Sequence, residues 1–225
     1  MKTGIAILAA LPRELAPLVR HWPGRVESHA DGSTIWECEQ AVAVCAGMGS
    51  KRVEYALAIA ARKRPLRQVI SVGYAGALRS GIARNSIYWP AAVIDAQTGE
   101  RFECEAGSGM LVTANHVVAR EGKLQLAERW NADLVDMEAA TVARLATERG
   151  LVFRALKVVS DESTEALPDF NRFIDDHGGF RQAAFAAYIA LHPWLVPEAI
   201  RLGRHTTQAS RALAAALRKF LDSAE

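Results

Sequence analysis

The chain has almost no excess of either charge. Its 27 Lys and Arg nearly cancel 25 Asp and Glu, leaving +2 over 225 residues. It therefore lacks the basic footprint of a nucleic-acid binder and the charge excess of a disordered chain. Cysteine is scarce and odd in number. Cys38, Cys45 and Cys104 show no Cys-x-x-Cys spacing, which argues against a disulfide framework or zinc site and for reduced thiols. Long hydrophobic runs are missing as well. The apolar opening before Leu11-Pro12-Arg13-Glu14 is too short for a signal sequence and far below the ~20 residues of a membrane span. The expectation is a first strand in a cytoplasmic protein with no integral membrane segment.

Cofactor signatures are also absent. Gly47-Met48-Gly49 has Arg52 where a dinucleotide fingerprint needs its third glycine, and no Gly-Lys-Ser/Thr phosphate loop occurs. The six histidines show no i, i+4 pairing, and no serine sits in a Gly-x-Ser-x-Gly elbow. No metal and no cofactor is expected. The partner expected is a small molecule, with no nucleic acid.

What is present is alternation. Gly4 to Ala10, Ala41 to Ala46, Gln68 to Val72, Ser86 to Ile94, Leu111 to Thr113 and Phe153 to Val159 read as strands. Pro90 marks an edge or bulge. Val26 to Cys38 reads as a hairpin about Asp31-Gly32. Helical periods follow at Leu15 to Trp22, Val53 to Ala61 and about Met137 to Arg149. From about residue 166 the chain turns helical and apolar, through Phe185, Tyr188, Ile189, Leu191, Trp194 and Leu195, with Pro193 and Pro197 interrupting. One α/β domain over residues 1–225 is expected, a three-layer α/β/α sandwich around a mixed, partly barrel-like sheet, with a helical C-terminal extension. In such sheets ligands sit beyond the carboxyl ends of the strands. The candidate carboxylates Glu14, Glu138 and Asp161 fall at such ends. Taken singly, each is more often a helix cap or a solvated charge than a catalyst.

Five segments in order carry a resemblance. Ala9-Ala10-Leu11-Pro12-Arg13-Glu14, Ala46-Gly47-Met48-Gly49, Val72-Gly73-Tyr74-Ala75-Gly76, Val135-Asp136-Met137-Glu138-Ala139-Ala140 and Val158-Val159-Ser160-Asp161 together resemble the nucleosidase and nucleoside phosphorylase family. That resemblance implies cleavage of the bond between ribose and a purine base in a homodimer or higher homo-oligomer. It implies roles as well. Glu14 would activate water and Asp161 would protonate the departing base at N7. Glu138 would hold the ribose hydroxyls beside Asp136, and Met137 would pack on the sugar. Gly73, Tyr74, Ala75 and Gly76 would form a turn lining the pocket, with Ser160 beside Asp161. Breaking an N-glycosidic bond leaves positive charge on the sugar and negative charge on the base, so an acid and a base on opposite sides suit it.

Departures from the family pattern bear on the reaction. Phosphorolytic members carry an arginine in the first loop and an Arg-Val-Gly-Ser segment, where this chain has Glu14 and Ser71-Val72-Gly73-Tyr74. This favours water over phosphate, although Arg13 or Arg52 offers a substitute. Adenine-specific nucleosidases place a phenylalanine against the base in the segment matching Asn115-His116-Val117-Val118, where this chain has Val117. Phe170-Asn171-Arg172-Phe173-Ile174-Asp175 and His192-Pro193-Trp194-Leu195 are similar to the hopanoid-associated phosphorylases. That likeness implies an adenosine with a bulky lipid substituent, against which stands the plainer reading of these apolar helices as core or subunit interface. A nucleoside-binding protein without catalysis is the alternative of another class.

Overall fold

The computed structural model describes residues 4–24, 26–29, 32–165, 171–173, 181–192, 194 and 196–223. Eleven strands and six principal helices alternate along them. The strands are β1 (Gly4–Ala9), β2 (Glu27–Ser28), β3 (Thr34–Glu37), β4 (Ala41–Cys45), β5 (Leu66–Ala77), β6 (Ile87–Tyr88), β7 (Ala92–Asp95), β8 (Arg101–Glu103), β9 (Met110–Thr113), β10 (Leu134–Asp136) and β11 (Val152–Asp161). The helices are α1 (Pro12–Val19), α2 (Ser50–Lys63), α3 (Arg120–Trp130), α4 (Ala139–Glu148), α5 (Gln182–Leu191) and α6 (Val196–Ser223). The strands form one mixed sheet in the order β2-β3-β4-β1-β5-β10-β9-β7-β8, with β11 on β5 and β6 on β11.

The apolar run of β1 is continuous because both of its faces are covered. Ala6 and Leu8 pack with Val53, Leu57 and Ala60 of α2 and with Ala140 and Ala143 of α4. Ile5, Ile7 and Ala9 face the other way, onto Leu15 and Leu18 of α1 and Leu213 and Leu217 of α6. This is the expected α/β/α layering. α6 is not an appendage, since it supplies Ala209, Leu213, Leu217 and Leu221 to the second layer. At ~1.5 to 3 kcal/mol for each fully buried leucine, that face makes the helix part of the core.

Three expectations need correction. Gly73 to Gly76 is not a turn, because β5 runs straight through it to Ala77. The single strand read over Ser86 to Ile94 is two, β6 and β7, divided at Pro90. The helix read from Met137 begins at Ala139. Its start is fixed by Asp136, whose Oδ2 accepts the Ala139 N–H at 3.0 Å. Finally, β8, β10 and α3 carry no sequence signal. The first two have three residues each, and the one fully buried side chain of α3 is a lysine, Lys123. The hairpin read around residue 32 is present as β2 on β3, with Gly32 at φ 83°. Asp31, residues 166–170, Ile174, Asp175, Pro193 and Leu195 lie outside the described residues.

β5 positions the site. One of its edges pairs with β11 from Gln68 to Gly76. The other holds β1 as far as Ser71 and then β10 from Gly76. Between those two partners the second edge has no strand beside it. This fork, at the carboxyl end of β1, leaves main-chain donors of β5 available to a ligand or a side chain.

Candidate active site

A cavity of about 550 Å³ opens at the fork. Glu14, Tyr74, Ala75, Gly76, Val117, Val118, Asp136, Met137, Glu138, Ser160 and Asp161 all line it. The structure thus gathers around one space every expected site residue except Gly73. Gly73 contributes differently. A Cβ there would lie 2.9 Å from Glu14 Oε1, and one at Gly76 would lie 2.8 Å from Asp161 Oδ2. The two glycines are gaps in a strand into which two carboxyls fit.

Glu14 is the third residue of α1. Its Oε2 accepts the Leu11 N–H at 2.8 Å, the acidic half of a capping box. Its Oε1 accepts the Tyr74 N–H at 3.2 Å across the fork. Burial raises the Glu14 pKa, while those two main-chain donors, Lys157 and Arg13 pull the other way. The result is a desolvated carboxyl kept in one orientation, as a general base requires.

Asp136 lies on a buried ammonium, and the same charge acts on Glu138. Lys157 Nζ is 2.8 Å from Asp136 Oδ2 and donates to Ser71 Oγ at 3.0 Å. Asp136 Oδ1 accepts from Thr113 Oγ1 at 2.6 Å. Both oxygens of Asp136 are therefore engaged, and it anchors α4 and Lys157 while it lines the cavity. Among the described residues Glu138 accepts the Gly49 N–H, at 3.3 Å. Its pKa is raised to about 8, chiefly by burial and then by the charge of Asp136, with Glu14 adding to the rise and Lys157 opposing it. With three carboxyls near one lysine, the protonated form of Glu138 is favoured.

A stability consequence follows from that proton. Below its ordinary 4.5, Glu138 is protonated whether the chain is folded or unfolded. Between 4.5 and about 8 the unfolded chain releases a proton that the folded one keeps, so stability falls as pH rises through that window. Glu138→Gln has no proton to lose and keeps an acceptor for Gly49. Its melting temperature, followed by circular dichroism without ligand, should exceed that of the wild type by a margin that widens from pH 5 to pH 9. A constant margin would mean that Glu138 is not held protonated.

Asp161 ends β11 just after an irregularity. Val159 pairs with Ala75 and Asp161 with Gly76, so Ser160 is the extra residue. Such bulges re-aim side chains. Here Ser160 Oγ donates to Asp161 Oδ1 at 2.5 Å and reaches Ala75 O at 3.3 Å. Asp161 Oδ2 meets Lys123 Nζ at 2.5 Å, with the lysine 1% exposed. Lys123 also donates to Glu162 O at 2.9 Å and lines the cavity. The sequence offered no sign of Lys123 because it sits alone in a polar segment.

The remaining lining was only partly foreseen. Met48 lies between Gly47 and Gly49, and Leu11 and Pro12 precede Glu14. Phe185 of α5 brings an aromatic face to the cavity and stacks edge-on to Phe173 at 5.3 Å. Position 117 lacks such a face. Tyr74 OH lies 2.6 Å from Ser210 Oγ of α6, and burial raises its pKa to about 12. This excludes the phenol as a base at neutral pH. Two of the three thiols, Cys45 and Cys104, are also disfavoured as nucleophiles. All three are free, and burial lifts Cys45 to about 12 and Cys104 to about 11. Among the described residues no group of His, Cys, Asp and Glu is placed to hold a metal ion, and no helix is long and apolar enough to cross a membrane.

This sheet, with carboxyls gathered at one fork, is an α/β fold shared with enzymes that act on nucleosides. The 5'-methylthioadenosine/S-adenosylhomocysteine nucleosidase of Neisseria meningitidis superposes with a TM-score of 0.73 at 17% identity, over 99% of this chain and 100% of that one. The corresponding Helicobacter pylori enzyme gives 0.71 at 14%, over 99% of each chain. Futalosine hydrolase of Helicobacter pylori gives 0.71 at 15%, again over 99% of each. The sequence pattern of the phosphorylase superfamily matches residues 4–107 and 97–191, and the chain belongs to that superfamily. No curated protein matches it in sequence.

Proposed function

We propose that this chain cleaves the N-glycosidic bond of a purine nucleoside, with adenine as the base and water as the nucleophile. The observation that carries the reading is the Glu14 carboxyl, held by two main-chain N–H groups in the same cavity as the Lys123–Asp161 pair. A fixed base lies at one wall and a proton-bearing group at another, with Met137 and Glu138 between for the ribose. Val117, Val118 and Phe185 offer apolar and aromatic surface to the base. The base would leave as the C1′–N9 bond breaks, while Glu14 takes a proton from the water that attacks C1′.

Water is favoured over phosphate by what occupies the fork. A phosphate dianion needs free donors and positive charge. The Tyr74 N–H is already taken by Glu14, whose carboxyl fills the space beside Gly73. Arg52 borders a small neighbouring void with Ser71 and Glu138, and among the described residues Arg13 is the arginine that lines the main cavity. The superposed relatives described above are nucleosidases and a hydrolase by name.

The test is incubation with adenosine, methylthioadenosine and S-adenosylhomocysteine, with and without phosphate, followed by assay of free base and sugar. Base should appear at the same rate in both conditions, together with unphosphorylated sugar. Ribose 1-phosphate would establish phosphorolysis instead. Saturable binding with no base release would favour the non-catalytic alternative.

A further inference from the structure

We propose that Lys123 is the proton source for the departing base, and that Asp161 is the acceptor that holds and orients it. The inference rests on the nucleoside-cleaving reading and goes beyond it by reassigning the acid. Asp161 is surrounded by donors. Ser160 Oγ–H reaches one carboxylate oxygen and the Lys123 ammonium the other, both at 2.5 Å. A carboxylate accepting on both oxygens has no proton directed at a leaving group. Lys123 has three N–H bonds. Asp161 and Glu162 O take two of them, and the side chain borders the cavity. The third can therefore meet a purine nitrogen, while Asp161 remains an acceptor for an exocyclic amine.

The step balances without any further reagent. The C1′–N9 bonding pair moves into the imidazole ring of the purine, and N7 takes a proton from Lys123 Nζ, leaving a neutral amine beside Asp161. The oxygen of water bonds to C1′ and its proton passes to Glu14. Once the products leave, Glu14 loses that proton to solvent and Lys123 regains one.

The test compares Lys123→Arg and Lys123→Met with the wild type on methylthioadenosine, each first shown to be folded by its melting curve. Arginine keeps the charge and a partner for Asp161 but does not release a proton. Both variants should lose ~10² to 10⁴ in turnover at pH 7, the usual worth of a general acid. The residual rate, as a ratio to wild type, should climb as pH falls toward 5, because solvent acid then protonates the base. Arg13, Glu14, His116, Asp136 and Glu138 also line the cavity, but they are common to all three proteins and cancel in the ratio. A second readout uses 4-nitrophenyl riboside, whose phenolate departs unprotonated and on which the variants should stay within a few-fold of wild type.

Wild-type turnover in Lys123→Arg would overturn the assignment, as would a loss that is the same at every pH and for both substrates. In either case the wild type still releases base and the nucleoside-cleaving reading survives. A wild-type chain that releases neither base nor nitrophenol would overturn both.

Discussion

Glu14→Gln is expected to bind nucleoside and release no measurable base. The amide is close to the carboxylate in shape and can still accept one of the two main-chain N–H bonds, from Leu11 or Tyr74. It cannot take a proton from water. Loss of a general base costs ~10² to 10⁴ in rate, and the effect should fall on kcat while substrate affinity stays within a few-fold. Stability should move little, because two effects oppose. Removing a buried carboxyl relieves desolvation, but the Gln NH2 leaves one main-chain donor unpaired, at a cost of about 1 to 3 kcal/mol. Rapid-quench measurement of base release with ligand titration would check this. A mutant retaining a tenth of wild-type turnover would remove Glu14 from the chemistry.

Asp161→Asn should lose both activity and stability. Were the aspartate a free acid awaiting substrate, the exchange would leave the fold untouched. The ion pair with Lys123 changes that expectation. Both side chains are nearly inaccessible, at 1% and 6% exposure, and removing one partner of a buried pair costs ~3 to 5 kcal/mol because the other charge is stranded. Lys123→Met with Asp161→Asn removes both charges and should regain most of the lost stability while base release stays absent. Chemical denaturation of the two single mutants and the double mutant would measure the coupling. If Asp161→Asn alone is as stable as wild type, the pair does not support the fold.

What could be read in advance depended on whether a residue's surroundings leave a periodic trace. β1 and β4 are bare apolar runs because helices cover both faces, and α2 shows its stripe at Val53, Ala56, Leu57 and Ala60. α3 hides itself, since the side chain it buries most deeply is Lys123, which pattern reading assigns to solvent. β5 misleads in the opposite sense. Its glycines suggest a turn, and only the positions of Glu14 and Asp161 show that they are slots in a strand. The carboxylates were found through the order of five motifs, not through charge, as Glu14, Glu138 and Asp161 differ little in sequence from helix caps. Asp136 shows where motifs stop. Its place beside Met137 was legible, but its bonds to Thr113, Ala139 and Lys157 were not, because they join residues up to 23 positions apart.

The Tyr74 N–H that holds Glu14 belongs to the main chain, and this has a consequence for how the site withstands change. Its availability is set by where β1 stops and β10 begins, so nineteen of the twenty amino acids at position 74 would present the same donor and only proline would delete it. A contact of this kind is set by the topology and leaves no letter in the sequence. Substitution at position 74, short of proline, therefore leaves the main-chain grip on the carboxylate in place.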